Sequence, residues 1–157
     1  MQLIISAFKT PVGDLEVMHD EQHVHRAIFT DVCIPNSKPT SFCTLIDQEL
    51  KSYFANPFYR FQLSLKPHGT PYQQRVWNEL LVIPIGRTLS YGELALKLQS
   101  SPRAVGQACK NNPLALFIPC HRVVGKNNMG GYLGQPQAIR YKLDLLRHEG
   151  YCAGHIL

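Results

Sequence analysis

The chain has 157 residues, 45% apolar and 17% charged, the composition of a globular protein rather than a disordered or low-complexity one. Its formal charge of +5 is unevenly held: residues 1–69 carry six Lys/Arg against seven Asp/Glu, and residues 70–157 carry ten against four, so the second half is the part suited to a polyanion. No apolar run is long enough to span a bilayer and the opening MQLIISAF lacks a basic start, so neither membrane insertion nor export is expected, and the cytoplasm is the expected location.

The first third reads as strands. LIISAF, DLEVMH and VHRAIFT are short and β-prone, and the turn compositions KTPVG and DEQ between them predict an antiparallel meander. A Pro-containing loop, IPNSKPT, follows. From Ser41, Phe42, Leu45, Ile46, Leu50, Tyr53 and Phe54 keep a helical period until Asn56-Pro57 stops it, and RFQLSLK alternates like one more strand.

After KPHGTP the pattern turns helical. Thr70 and Gln73 can form a capping box with Pro71 at the first helical position, and Val76, Trp77, Leu80 and Leu81 make the apolar stripe. Ser90 with Glu93 repeats that signature, and Ser101-Pro102 opens a third helix after a very short turn. Two short helices so joined, the second carrying Arg103 near its start and the small residues Ala104, Gly106 and Ala108, suggest a helix-turn-helix; plain helix packing is the alternative. LALFIPCHRVV reads as a strand and GKNNMGGYLGQ as a glycine-rich loop. A last helix starts near Pro136, buries Ile139, Leu143 and Leu146, and stops at Gly150.

Cysteines at 33, 43, 109, 120 and 152 form an odd set without a C-x-x-C pair, so reduced thiols are expected rather than disulfides or a zinc knuckle. His19, His23 and His25 in HDEQHVH lack a second ligand pair, and surface histidines on a hairpin are the preferred reading over a metal site. No metal or cofactor is expected.

The stretch IPCHRVVG raises the chemical question. A free thiol is only a few per cent ionised at neutral pH and needs a base or positive field to act as a nucleophile. His121 is adjacent to Cys120, but in an extended chain neighbouring side chains point to opposite faces, so either Pro119 marks a bend or a water joins thiol to imidazole. Glu149, in the last turn of the last helix, sits at the negative end of the helix dipole; His121 would offset that cost, with Arg147 and Arg122 as alternatives. A buried inert cysteine fits the same residues, and spacing alone leaves the question open.

From about Thr70 to Tyr151 the chain resembles the O6-alkylguanine-DNA alkyltransferases. P-C-H-R-V is that family's signature, and TPYQQRVWNELLVIPIGRTLSYGELA, RAVGQACKNNP and LLRHEGY match further blocks in order. The resemblance implies an α+β fold: a small strand-rich N-terminal domain of antiparallel sheet plus helix over residues 1–66, then a mainly helical, winged-helix-like helix-turn-helix domain over 67–157 that binds DNA. It implies that the chain flips O6-alkylguanine, chiefly O6-methylguanine and with O4-methylthymine as a second lesion, out of double-stranded DNA. The alkyl group then passes irreversibly to Cys120, in one turnover, without a cofactor and as a monomer.

In that reading Cys120 is deprotonated and open to the base, His121 takes its proton through a water, and Glu149 orients His121. Asn112 holds the network, and Tyr91 rotates the 3′ phosphate and hydrogen-bonds the base. Arg103 fills the gap in the stack, and Ala104, Gly106 and Gln107 meet DNA on the same helix. The carbonyls of Cys120 and Val123 read the guanine amino group, while Tyr132, Leu133, Gly134 and Trp77 wall the pocket. Two departures stand out: the turn before Arg103 is a few residues shorter than in relatives, and Leu133 stands where they carry a serine or alanine. Leu133 is expected to narrow the pocket and favour methyl over bulky groups. The rivals are a non-catalytic alkyltransferase-like lesion binder, a Cys-His hydrolase and a transcriptional regulator.

Overall fold

The computed structural model describes residues 2–32 and 39–151. Cys33, Cys152 and most of the loop IPNSKPT lie outside them. The chain divides into two compact units, Met1–His68 with Pro113–Phe117, and Gly69–Asn112 with Ile118–Leu157.

The first unit holds an antiparallel sheet in the order β1 (Ile4–Thr10), β2 (Gly13–His19), β3 (Val24–Thr30), followed by helix α1 (Ser41–Ala55). Thr10 closes the first turn by accepting from the Val12 and Gly13 amides at 3.3 and 3.2 Å. Alternate residues Leu15 and Val17 of β2 are fully buried, as the period of two demands, and join Phe8, Phe29, Ile46, Leu50 and Tyr53 in the core. Thr40 caps α1 through the Cys43 amide.

Three expectations fail here. RFQLSLK makes only an isolated parallel bridge, with the Val24 amide donating to Ser64 and the Lys66 amide to Val24, so it lies along β3 without becoming a strand. Residues 113–115 make the same kind of contact at Ala27, so this stretch of the apolar run LALFIPCHRVV is also unladdered. The histidines are not uniformly superficial: His19 is fully buried, its Nε2 bonded to Ser6 Oγ at 3.0 Å and its Nδ1 to the Asp20 carbonyl at 2.8 Å. The Asp20 carboxylate meanwhile accepts from the Gln22 and His23 amides and from His25 Nε2.

The second unit contains α2 (Pro71–Leu81), β4 (Leu89–Ser90), α3 (Tyr91–Leu98), α4 (Pro102–Lys110), a 3-10 turn (Cys120–Arg122), β5 (Val123–Val124) and α5 (Ile139–His148). Both capping boxes form, Thr70 with Gln73 and Ser90 with Glu93. Ser101 caps α4, and Gln99 takes the left-handed conformation at φ 52° to end α3, so α3 and α4 are a helix-turn-helix with a very short turn. The two-residue ladder pairing Leu89 with Val123 and Ser90 with Val124 sets the start of α3 beside the chain leaving Arg122.

Two predicted stripes shift. Leu81 is 39% exposed, leaving Val76, Trp77 and Leu80 as the buried face of α2. In α5 the buried side chains are Tyr141, Lys142, Leu145 and Leu146, with Ile139 and Leu143 only partly covered.

Trp77, expected in the pocket wall, is instead core: it is 1% exposed and its Nε1 donates to the Ala108 carbonyl at 2.9 Å, satisfying an acceptor near the end of α4. Trp77→Phe keeps most of the apolar volume but leaves that carbonyl unpaired. Urea unfolding should therefore show a loss of about 1–3 kcal/mol; an unchanged midpoint would mean that the bond contributes nothing.

Candidate active site

Pro119 has φ −80° and ψ 65°, the inverse γ-turn geometry, and the Cys120 amide accordingly donates to the Ile118 carbonyl at 2.8 Å. The chain then winds through the 3-10 turn instead of continuing as the strand expected from LALFIPCHRVV. With three residues per turn, Cys120, His121 and Arg122 point in three directions. Pro119 is thus the bend that the sequence left open.

His121 is fully buried, and its Nε2 lies 2.9 Å from Glu149 Oε2. Arg122 grips the same carboxylate with Nε on Oε1 and Nη2 on Oε2, both at 2.9 Å, while Nη1 donates to the Ile83 carbonyl at 2.8 Å. Two of the three expected partners of Glu149, His121 and Arg122, are therefore used together. Arg147 turns away to Asp144. Burial alone would raise the Glu149 carboxyl, but His121 and Arg122 together hold it far below the ordinary carboxylate range. Burial lowers the His121 imidazole despite that carboxylate, so the ring is neutral, and an Nε2–H donating to Glu149 leaves the Nδ1 lone pair bare. Nδ1 is buried and has no hydrogen-bond partner among the described residues.

Cys120 is 3% exposed yet lines a cleft of about 460 Å³. Its Sγ accepts from Asn112 Nδ2 at 3.1 Å, and the same amide nitrogen donates to the Ile118 carbonyl at 2.9 Å. No hydrogen bond joins Sγ to the imidazole. Burial pushes the thiol up, against the lowering effects of Asn112 and Lys142. The sulfur is open to the cleft, and there desolvation of the anion works against the donors around it.

The cleft is walled by Tyr91 at the start of α3, by Pro102, Arg103, Gly106, Cys109 and Lys110 along α4, and by Gly131, Tyr132, Leu133 and Gly134 of the glycine-rich loop. Burial raises the Tyr91 hydroxyl to about 12, which keeps it a proton donor. A Cβ at Gly130 would fall 2.8 Å from the Tyr91 hydroxyl oxygen, and Gly130 has φ +70°, so this position requires glycine. Leu133 takes φ +54°, an uncommon conformation for a branched residue.

Of the residues singled out in the sequence, Cys120, Tyr91, Arg103, Gly106, Tyr132, Leu133 and Gly134 meet at this cleft, and Asn112, His121 and Glu149 stand behind the sulfur. Arg103 and Gln107 are exposed one turn apart on α4, and Ala104 is half-buried. Val123 is fully buried and its carbonyl accepts from Lys142 Nζ at 2.6 Å, so neither it nor Trp77 is in the lining. Cys109, Lys110 and Lys142 were missed. Cys109 and Lys110 follow Gly106 by three and four residues, the spacing that marks them as its neighbours on one helix face.

This arrangement defines a class of protein, one that presents a cysteine at the foot of a helix-turn-helix with a histidine and a glutamate behind it. The description 6-O-methylguanine DNA methyltransferase, DNA binding domain, covers the family profile that matches residues 71–151. The methylated-DNA–protein-cysteine methyltransferase of Methanosarcina acetivorans is 35% identical, covering 92% of this chain and 97% of its own, and the constitutive Bacillus subtilis protein of that name is 38% identical, covering 84% and 87%. The chain belongs to the methylated-DNA–protein-cysteine methyltransferase family.

Among solved structures, the Mycobacterium tuberculosis O6-methylguanine methyltransferase superposes with a TM-score of 0.81 at 32% identity, covering 94% of this chain and 93% of its own. The M. tuberculosis OGT in complex with DNA gives 0.80 at 33% identity, covering 93% and 92%. The fold is thus the two-domain α+β fold of these proteins.

The buried carboxylate makes a pH prediction. A carboxyl held low in the folded state contributes stability that is full above its unfolded pKa of about 4.3 and is lost as pH falls toward the folded value. His121, held neutral, adds to the loss once pH drops below about 6.5. Urea unfolding should give falling stability from pH 7 to pH 3. Glu149→Gln should lose about 3–5 kcal/mol at pH 7, because Arg122 is left as an unpaired buried charge, and should flatten the slope below pH 5. Equal slopes in both proteins would refute this account.

Proposed function

We propose that the chain repairs DNA by drawing an O6-alkylguanine out of the duplex into the cleft and moving the alkyl group onto Cys120 Sγ, once per molecule. The observation that carries this reading is the placement of Cys120 at the base of the cleft, between α4 and the glycine-rich loop, with Asn112 on the sulfur and His121, Arg122 and Glu149 behind it. An O6-alkyl carbon is inaccessible in a stacked pair, so the nucleotide has to leave the stack, at a cost of a few kcal/mol. Arg103, exposed at the start of α4, fills the vacated space, and the basic second half of the chain meets the phosphates.

The chemistry balances. The thiol gives its proton to Nδ1 of His121 through a water, the Sγ–C bond forms in line, and the C–O6 bond breaks with its electron pair going to the purine. The purine takes up a proton from solvent and remains in its strand as guanine, while the imidazolium of His121 gives the thiol's proton back to solvent. Tyr91, kept protonated by its burial, steadies the negative charge on the departing base. Since the thiol rests protonated, the thiolate forms only when the base has sealed the cleft, which limits side reactions of a free anion. The product is a thioether that no group in the cleft can cleave, so the reaction ends there.

In this reading residues 1–66 are a structural domain, residues 67–157 bind DNA and react, and the protein acts as a monomer in the cytoplasm. The absence of any helix long and apolar enough to cross a membrane, among the described residues, is in keeping with that location. O4-methylthymine is a second substrate. A non-catalytic lesion binder has no use for a cysteine in the cleft, and a Cys-His hydrolase would turn over.

Incubation with a duplex holding one O6-methylguanine, followed by intact mass, should show one added methyl per molecule, with release of product stopping at the protein's own concentration. Cys120→Ser should bind the lesion and take up nothing. Turnover beyond one equivalent, or methylation of the serine variant, would sink the assignment. For the pocket, Leu133→Gly removes a strained left-handed residue and widens the wall, so its rate on O6-benzylguanine relative to O6-methylguanine should rise roughly tenfold. Equal rates of the parent protein on both substrates would show that Leu133 does not narrow the site.

A further inference from the structure

Helix α2 contributes no residue to the cleft wall, yet its polar side chains are spent on the helix-turn-helix that does. Tyr72 and Arg75 stand three residues apart and so share one face of α2. The Tyr72 hydroxyl lies 2.6 Å from Ser100 Oγ, and Arg75 Nη2 donates to the Leu98 carbonyl at 3.0 Å. Both partners belong to the turn: Leu98 ends α3, and only Gln99, Ser100 and the capping Ser101 separate it from Pro102 at the start of α4. The Leu98 carbonyl is among the last four of α3, which no amide of the regular helix can reach. A guanidinium from a neighbouring helix supplies the donor and fixes its direction, which a water would not.

At the other end of α4, Trp77 of the same helix α2 donates to the Ala108 carbonyl. Helix α2 therefore holds α4 at both ends, directly at its close and through the turn at its opening. It is a firm support. The Thr70–Gln73 box fixes its first turn, and Gly69 lies so near the indole of Trp77 that a Cβ there would fall 2.3 Å from the ring.

The opening of α4 is where accuracy matters, because Arg103 is its second residue. Arg103 precedes Ala108 by five residues, about 7–8 Å along the axis at about 1.5 Å per residue. A tilt of α4 by roughly 8° about its Ala108 end would displace Arg103 by about 1 Å, twice the ~0.5 Å within which a functional group has to be held. The bonds from Tyr72 and Arg75 are placed to oppose that tilt.

We propose that Tyr72 and Arg75 are positioning residues for base extrusion: by fastening the turn to α2 they set where Arg103 enters the duplex. The proposal deepens the repair reading above and rests on it. Neither side chain lines the cleft, so the transfer step itself, as distinct from delivery of the base, does not depend on them. Arg75 is exposed, and direct contact with a phosphate is the competing use of its charge.

The test measures single-turnover methyl transfer by the full chain from O6-methylguanine in a duplex and from the same base in a single strand, where no pair has to be opened. Melting curves establish that each variant folds. Tyr72→Phe with Arg75→Met should slow transfer from the duplex about tenfold, the loss expected for two hydrogen bonds, and leave transfer from the single strand within about twofold of the parent. Added to Arg103→Ala, the same pair of substitutions should slow the duplex reaction little further, since no guanidinium is left to position. Equal slowing on both forms of DNA, no slowing on the duplex, or full additivity with Arg103→Ala would overturn the proposal.

Salt dependence separates the competing role. Binding of Arg75→Met to an undamaged duplex should keep the parent's log–log slope against salt; a slope shallower by about one would show that Arg75 meets a phosphate, and would overturn its assignment as a positioning residue. Failure of the parent protein to accept a methyl group from either form of DNA would instead count against the repair reading itself.

Discussion

The second unit is organised around a carboxylate that has been taken out of water. Glu149 ends α5, where the helix dipole disfavours it, and it is tolerated there because His121 and both arms of the Arg122 fork close on its oxygens. That cluster does more than offset a cost. It fixes the rotation of the 3-10 turn, and by setting where His121 and Arg122 point it leaves Cys120 a single direction, into the cleft. The tautomer of the imidazole follows from the same contact, since a ring that donates through Nε2 keeps a lone pair on Nδ1. The direction of the sulfur and the tautomer of the imidazole behind it both trace back to one buried anion.

The surroundings of Cys120 hold two opposed requirements. A nucleophile benefits from being ionised, whereas a sulfur that is ionised in a free cleft is open to oxidants and to stray electrophiles. The structure favours the second requirement at rest and supplies the means to reverse it: an amide donor on the sulfur, a neutral base behind it, and a buried ammonium nearby. None of these groups suffices alone against desolvation. Their effects become larger as water is displaced, because each interaction strengthens when the local dielectric falls. In the proposed reaction substrate entry arms the site, and the aromatic and glycine surfaces of the cleft wall offer it a dry contact.

Much of this was legible in the chain. Helix starts were read well because capping is local chemistry: Thr70 with Gln73 and Ser90 with Glu93 carry their partners within four residues, and both boxes form. The meander was equally local, as alternation and turn composition determine it. What failed depended on partners far away in sequence. RFQLSLK alternates as a strand should, but an alternating segment becomes a strand only if a neighbour offers a full ladder, and β3 offers it one bridge. Trp77 has the same apolar character whether it walls a pocket or fills a core; only the Ala108 carbonyl decides. The stripe of α5 was drawn through Ile139 and Leu143 because they are apolar, and Lys142 was passed over because lysine is ordinarily exposed. Its two carbonyl acceptors, Val123 and Gly131, come from loops whose course no periodicity describes. The residues Cys120, His121 and Glu149 were found through family resemblance, and the bend at Pro119 that lets them work together was only one of two options before the structure.

The 3-10 turn also bears on how the chain can change over time or be re-engineered. Its three residues serve three unrelated destinations in a period of three, so adding or removing a single residue between Pro119 and Val123 would rotate each side chain by about a third of a circle. The sulfur would then face the Glu149 cluster, and the imidazole or guanidinium would face the cleft. Indels are thus forbidden in this stretch, while the glycine-rich loop, tied down at a few points, can absorb them. Length variation among natural or designed versions should accumulate in the loop, so pocket size can diversify while the spacing of P-C-H-R-V stays constant.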